Sequence, residues 1–275
     1  MEIRKGDDLG QSSKGSLQNS VDDPLTKADM ESHQILVSHF RSIWPEVTVV
    51  SEEKDAVTKS PYIDINLHSL SARLSPGMVD PKDVRIWVDP LDATKEFTES
   101  LTQYVTVLVG IVVNGEPVAG VVHFPFEEHT MWGWVGHSTS FTPASESANK
   151  EAFRVIVSRS HAGDIESNAA AMGVESVTPA GGAGYKVAEV LRGHQDAYLH
   201  NTLIKKWDLC AGDALLRAAG GRLTDWAGRS LDYSSGEEAL VTGGVAAALH
   251  NHEKLVSKLA QFDLEKMTAR NRPGT

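Results

Sequence analysis

Two apolar runs, Val105 to Val113 and Val118 to Phe124, meet at the dipeptide Asn114-Gly115, and this junction constrains the fold most tightly. Asn-Gly accepts positive φ at both central positions of a tight turn, which matches the right-handed twist of paired strands. The segment therefore reads as an antiparallel hairpin, and the surrounding half of the chain as antiparallel sheet with helices. Upstream, Ile35, Leu36 and Phe40 recur at helical spacing within Thr26 to Phe40. Val47 to Val50 is a short β-branched run that ends in Ser51-Glu52-Glu53. A second short strand, Ile86-Trp87-Val88, runs into Asp89-Pro90-Leu91-Asp92-Ala93-Thr94, where Pro90, with no amide hydrogen, is expected to stop it. Both strands thus deliver carboxylates at their ends. Between them, Lys54 to Asp83 is rich in Pro, Ser and Asp and reads as either a disordered connection or a lid over a site.

Past the polar stretch Ala144 to Glu151 the pattern changes. Val155-Ile156-Val157 reads as a strand, followed by a helix from about Gly163 and a turn at Gly181-Gly182-Ala183-Gly184. Helices near Tyr185 to Leu191 and Leu209 to Ala219 come next. A boundary near residue 152 would separate an α+β half, 26–151, from a smaller α/β half, 152–275. Residues 1–25 carry little periodicity and are expected to be flexible.

With 41% hydrophobic and 23% charged residues among 275, the chain can bury a sizeable core. No stretch reaches the ~20 apolar residues of a membrane helix. The single cysteine, Cys210, has no internal disulfide partner. A net charge of −11 repels nucleic acid and anionic membrane, so a phosphorylated substrate would need metal ions to enter.

Asp89 and Asp92 bracket a Pro-Leu turn, so both carboxylates can face one point, with the carbonyl of Leu91 as a third oxygen nearby. Hard cations such as Mg²⁺ require oxygen ligands of this kind. Thr94 adds a hydroxyl and opens a segment whose backbone N–H groups could hold a phosphate. A lone Asp-x-x-Asp is more often a helix-capping turn, and an acidic pair such as Glu52-Glu53 is usually solvated surface. Likewise Asp208, at the start of the Leu209 helix, would ordinarily be a cap.

Taken together, Asp-Pro-Leu-Asp-Ala-Thr at 89–94, Trp207-Asp208-Leu209-Cys210-Ala211-Gly212, the Glu-Glu pair and Thr26-Lys27-Ala28-Asp29 resemble, in order, the motifs of the inositol-monophosphatase-like, lithium-sensitive phosphatases. The resemblance spans about residues 26 to 250. Val157-Ser158-Arg159-Ser160-His161, Pro179 to Lys186 and Lys205-Lys206-Trp207-Asp208 are most similar to the branch acting on adenosine 3',5'-bisphosphate, with its Golgi-resident type nearest. Compared with that family, the start is expected to be truncated, with no membrane anchor or signal.

The resemblance implies a layered α-β-α-β-α sandwich of the inositol monophosphatase and fructose-1,6-bisphosphatase type. It implies a Mg²⁺-dependent phosphomonoesterase that releases AMP and phosphate from a small nucleotide bisphosphate, in the Golgi lumen and with scope for a homodimer. Glu52, Asp89, Asp92, Asp208 and the Leu91 carbonyl would hold two or three Mg²⁺ ions, with Glu53 an alternative to Glu52. Asp29 and Thr94 would take a proton from the attacking water. Ala93, Thr94, Arg159, His161 and Lys186 would bind substrate, although surface charge or a structural histidine would also account for the last three. An inositol phosphate phosphatase of the same superfamily is the nearest alternative, against which stand the long step from Glu53 to Asp89 and the His161 and Lys186 motifs. An inactive truncated form is another. A covalent aspartyl-phosphate mechanism needs Asp-x-Asp-x-Thr, and Leu91 occupies the second acidic position.

Overall fold

The computed structural model describes residues 12–13, 24–54, 79–146, 152–160, 165, 174–236 and 239–260. His161, most of the expected lid and all but Ile165 of the helix expected from about Gly163 lie outside these residues.

Helix α1, Lys27–Ile43, begins where Thr26 adopts an extended conformation and forms a capping box with Asp29. The Thr26 amide donates to Asp29 Oδ2 at 2.8 Å, which satisfies a donor that the helix itself leaves free. Strands β1 (Thr48–Ser51), β2 (Val84–Asp92), β3 (Thr106–Val113), β4 (Glu116–Phe124), β5 (His129–Trp134) and β6 (Ser138–Thr139) form one sheet in that order. The β1–β2 pair is parallel and the rest are antiparallel. The expected hairpin is β3–β4, and Asn114 and Gly115 have φ of 52° and 83°. Leu36 and Phe40 of α1 close one face of the sheet over Ile86, Val88 and Val109.

Pro90 does not end its strand. Strand β2 continues to Asp92, with a register shift between Asp89 and Asp92 against β3. The shift marks a bulge, where a residue without an amide hydrogen leaves no ladder bond broken. The Pro90 carbonyl, turned out of the ladder, accepts a hydrogen bond from Ser32 Oγ of α1 at 2.7 Å. Short helix α2, Thr94–Thr98, follows directly.

A second sheet takes the order β8-β7-β9-β11-β10, from β7 (Phe153–Ser158), β8 (Val174–Ala180), β9 (Ala197–His200), β10 (Arg222–Thr224) and β11 (Val245–Ala248). Helices α3 (Ala183–Leu191) and α4 (Lys206–Ala218) lie between the two sheets, and α5 (His252–Leu259) packs beyond β11. The layers therefore run α-β-α-β-α, and the largest apolar cluster joins both sheets through α3 and α4.

Small residues let α4 sit close to the first sheet. Gly110, Gly120 and Gly133 are register partners across β3, β4 and β5. A Cβ on Gly120 would lie 2.4 Å from the Ala211 carbonyl oxygen, and one on Gly110 the same distance from Cys210 Sγ. This close approach fixes the depth at which α4 presents Asp208 in its first turn.

Candidate active site

The site forms where β1, β2 and the first turns of α1, α2, α3 and α4 meet. Asp89, Leu91, Asp92, Thr94 and Asp29 are all buried. Glu52 follows β1 and hydrogen-bonds the Val88 carbonyl through its amide at 3.1 Å, which places it beside β2. Asp89 Oδ1 accepts the Leu91 amide at 3.1 Å, so the carboxylate folds back over its own turn. Asp208 reaches back to the Lys205 amide at 3.1 Å.

Burial, and then the charges of Glu52, Asp92 and Asp208, push the Asp89 carboxyl well above the ordinary carboxylate range. Acids that raise one another's affinity for a proton form a pocket that favours a cation. Among the described residues, no three acid, imidazole or thiol groups are gathered at coordination distance. The donor set is nevertheless all hard oxygen, the chemistry that suits Mg²⁺. Of the acidic pair, it is Glu52 whose charge bears on Asp89.

Asp92 has different neighbours. Its Oδ2 accepts from Thr106 Oγ1 at 2.7 Å and from the Gly184 amide at 2.8 Å, and its Oδ1 accepts from the Ala183 amide at 3.1 Å. Burial still raises its pKa, while Lys186 and these donors pull it down. The amides are free because Gly182, at φ 63°, turns the chain into α3. Asp92 thereby joins the strand bulge to the start of α3.

Thr94 Oγ1 lies 2.9 Å from Asp29 Oδ1 and 3.0 Å from the Leu91 carbonyl, and both acceptors share its single proton. Asp29 Oδ2 is held by the Thr26 amide and hydroxyl. The structure thus joins the two residues expected to handle the proton of water. Ala93, between Asp92 and Thr94, has φ 70° and ψ 45°, a left-handed conformation unusual for alanine.

Lys186 is buried, with Nζ donating to the Gly182 carbonyl at 2.6 Å and lying 5.2 Å from the Tyr198 ring centroid. Desolvation lowers its pKa to about 8 against the pull of Asp92, Glu96 and Asp208. Arg159 is engaged by two acids of the α2 segment, Glu96 at 3.3 Å and Glu99 more closely.

Sequence reasoning passed over several residues. Ser32 and His33 share the face of α1 that carries Asp29, and His33 Nδ1 lies 2.9 Å from Ser51 Oγ at the end of β1. Their signal was present, since i, i+3 and i+4 positions share one helix face. Thr106, Glu96 and Glu99 had no comparable local signal.

A layered α/β scaffold with converging acids beside a hydroxyl-carboxylate pair is the architecture of a phosphomonoesterase. The model of the Inositol monophosphatase family matches residues 2–263. Inositol monophosphatase 3 of Danio rerio is 38% identical over 275 residues, covering 96% of this chain and 80% of that protein. The Golgi-resident adenosine 3',5'-bisphosphate 3'-phosphatase of Homo sapiens is 37% identical over 276 residues, covering 96% and 76%. Among solved structures, the IMPase of Thermotoga maritima superposes with a TM-score of 0.68 at 21% identity, covering 94% of this chain and 91% of that one. The chain belongs to the inositol monophosphatase family, whose members are metal-dependent phosphatases.

Proposed function

We propose that the chain is a Mg²⁺-dependent 3'-phosphatase that hydrolyses adenosine 3',5'-bisphosphate to AMP and phosphate. The observation that carries the reading is the pairing of two opposed environments across Asp92: acids gathered around Asp89 on one side, Lys186 and the α3 amides on the other. Mouse and human relatives named Golgi-resident adenosine 3',5'-bisphosphate 3'-phosphatase, 39% and 37% identical, support the substrate.

Glu52, Asp89, Asp92, Asp208 and the Leu91 carbonyl would hold two or three ions. Ions held there activate water and neutralise charge on the leaving oxygen. Asp29, with Oδ2 fixed by Thr26, keeps Oδ1 directed at the Thr94 hydroxyl, so Thr94 can take a proton from water as it passes its own to Asp29. Ala93 and Thr94 would border the scissile phosphate, with Arg159, Lys186 and His161 reaching the rest of the nucleotide. Catalysis would sit between the halves 26–151 and 152–275, with Golgi residency shared with the named relatives. No helix among the described residues is long and apolar enough to cross a membrane.

Product identity tests the reading. Chromatography of adenosine 3',5'-bisphosphate incubated with enzyme and Mg²⁺ should show 5'-AMP and phosphate, with millimolar lithium inhibiting the release. Formation of 3'-AMP, or no phosphate release with Mg²⁺, would overturn it.

A further inference from the structure

Arg159 follows β7 and lies against the short helix that opens after the acidic turn. Its guanidinium has two carboxylate partners in unlike settings. Glu96 has a side chain only 8% exposed, whereas that of Glu99 is 38% exposed. Glu96 is also wedged under the α3 turn: a Cβ on Gly181 would fall 2.5 Å from its Cγ. Its own carbonyl accepts the Leu101 amide at 2.8 Å, and its charge reaches Lys186. Glu96 is therefore fixed by packing, while Glu99, the C-cap of α2, holds Arg159 with a partly exposed side chain.

We propose that Glu99 is an exchangeable stand-in for an anionic group of the substrate. It occupies Arg159 in the resting enzyme and is displaced when the phosphate that is not cleaved arrives, while Glu96 keeps the guanidinium aimed. This rests on the bisphosphate reading above. The chemistry is an exchange of one oxyanion for another on a planar guanidinium, and a dianionic phosphate is the stronger partner. A net-acidic protein gains from such an arrangement, because in the absence of ligand Arg159 is held in place rather than collapsing onto other acids. Glu96 and Glu99 are positioning residues in this scheme, since neither touches the reacting atoms.

The test is steady-state kinetics of the full chain with Mg²⁺ on adenosine 3',5'-bisphosphate and on 3'-AMP, which lacks the second phosphate. Glu99→Gln removes the competitor but keeps the side-chain shape, so KM for the bisphosphate should fall about two- to five-fold relative to KM for 3'-AMP, the scale of an exposed ion pair. A merely structural role would raise KM or leave it alone. Combining Glu99→Gln with Arg159→Gln should abolish the gain, leaving the double variant equal to Arg159→Gln. Glu96→Gln should raise KM for the bisphosphate with little change in kcat. An unchanged or raised bisphosphate KM in Glu99→Gln, in an enzyme that still prefers the bisphosphate, overturns the exchange alone. Loss of that preference in the wild type overturns the substrate reading beneath it.

Discussion

Asp89 and Asp92 leave the same bulge of β2, yet their carboxylates meet opposite surroundings. Around Asp89 stand Glu52 and Asp208, and the Leu91 amide donates to its carboxylate. Around Asp92 stand a hydroxyl, two amides and the charge of Lys186. The acidic side is destabilising as it stands and gains from a cation. The donor side is satisfied by the protein alone, and its loss would be felt by the fold itself. One turn thus separates a carboxylate crowded by other acids from one satisfied by buried donors.

The largest expected effect is at Asp89. Asp89→Asn should cost at least about 10²-fold in turnover, since it removes a charge on which metal binding depends. Without metal its melting temperature should equal or exceed that of the wild type, because a like-charge contact is relieved. Asp92→Asn should also lose turnover but should unfold more easily, as one oxygen no longer serves buried donors. Thermal melts in metal-free buffer that lower both variants equally would break the comparison, as would an Asp89→Asn enzyme keeping more than about a tenth of its activity.

Thr94→Ala should lower kcat on the order of 10²-fold, the lower range for a lost proton-transfer group, with little change in Mg²⁺ affinity. Unchanged kcat would remove Thr94 from the proton path. On the donor side, Lys186→Met should reduce kcat/KM for the bisphosphate about 10- to 100-fold relative to a monophosphate. Equal loss on both substrates would confine Lys186 to holding the Gly182 turn.

A buried acid with a cation beside it supplies a third case. Asp213 of α4 is fully buried and ion-paired to Arg217 at 2.9 Å, and burial still raises its pKa to about 6. Its folded-state pKa exceeds the unfolded value of about 3.9, so the folded protein holds the proton more tightly. The associated stability is fully present below about pH 4 and is lost as pH rises through about 6, by roughly 2 to 3 kcal/mol. Urea unfolding of wild type and Asp213→Asn between pH 4 and 7 should therefore diverge across that window. Parallel curves would show that Arg217 offsets the desolvation. The smallest effect belongs to the bulge itself: Ala93→Gly should stabilise by up to about 1 kcal/mol, since glycine adopts φ near 70° without strain. A lower urea midpoint would show that the Ala93 methyl contributes packing.

Much of this was legible in local pattern. The hairpin followed from Asn114-Gly115, helix α1 from its period, and the acids from short motifs that end strands or open helices. What escaped was long-range or depended on the bulge. Pro90 was expected to end β2, because a ladder bond is all that sequence shows at a proline; the bulge removes the need for one. Arg159 read as a substrate-binding cation or as surface charge, and its partners Glu96 and Glu99 escaped notice because they lie 63 and 60 residues away in the chain. Thr106 read only as a strand residue, and its bond to Asp92 depends on β2 and β3 pairing at the shifted register.

In the proposed reading, the acidic side handles the scissile phosphate while the donor side selects the molecule that carries it. Comparing wild-type kcat/KM for adenosine 3',5'-bisphosphate with that for inositol 1-phosphate, at one Mg²⁺ concentration, measures this directly. Two charge-assisted contacts to the second phosphate predict a preference of roughly 10²-fold to 10⁴-fold for the bisphosphate. Equal values, or a preference for inositol 1-phosphate, would contradict it.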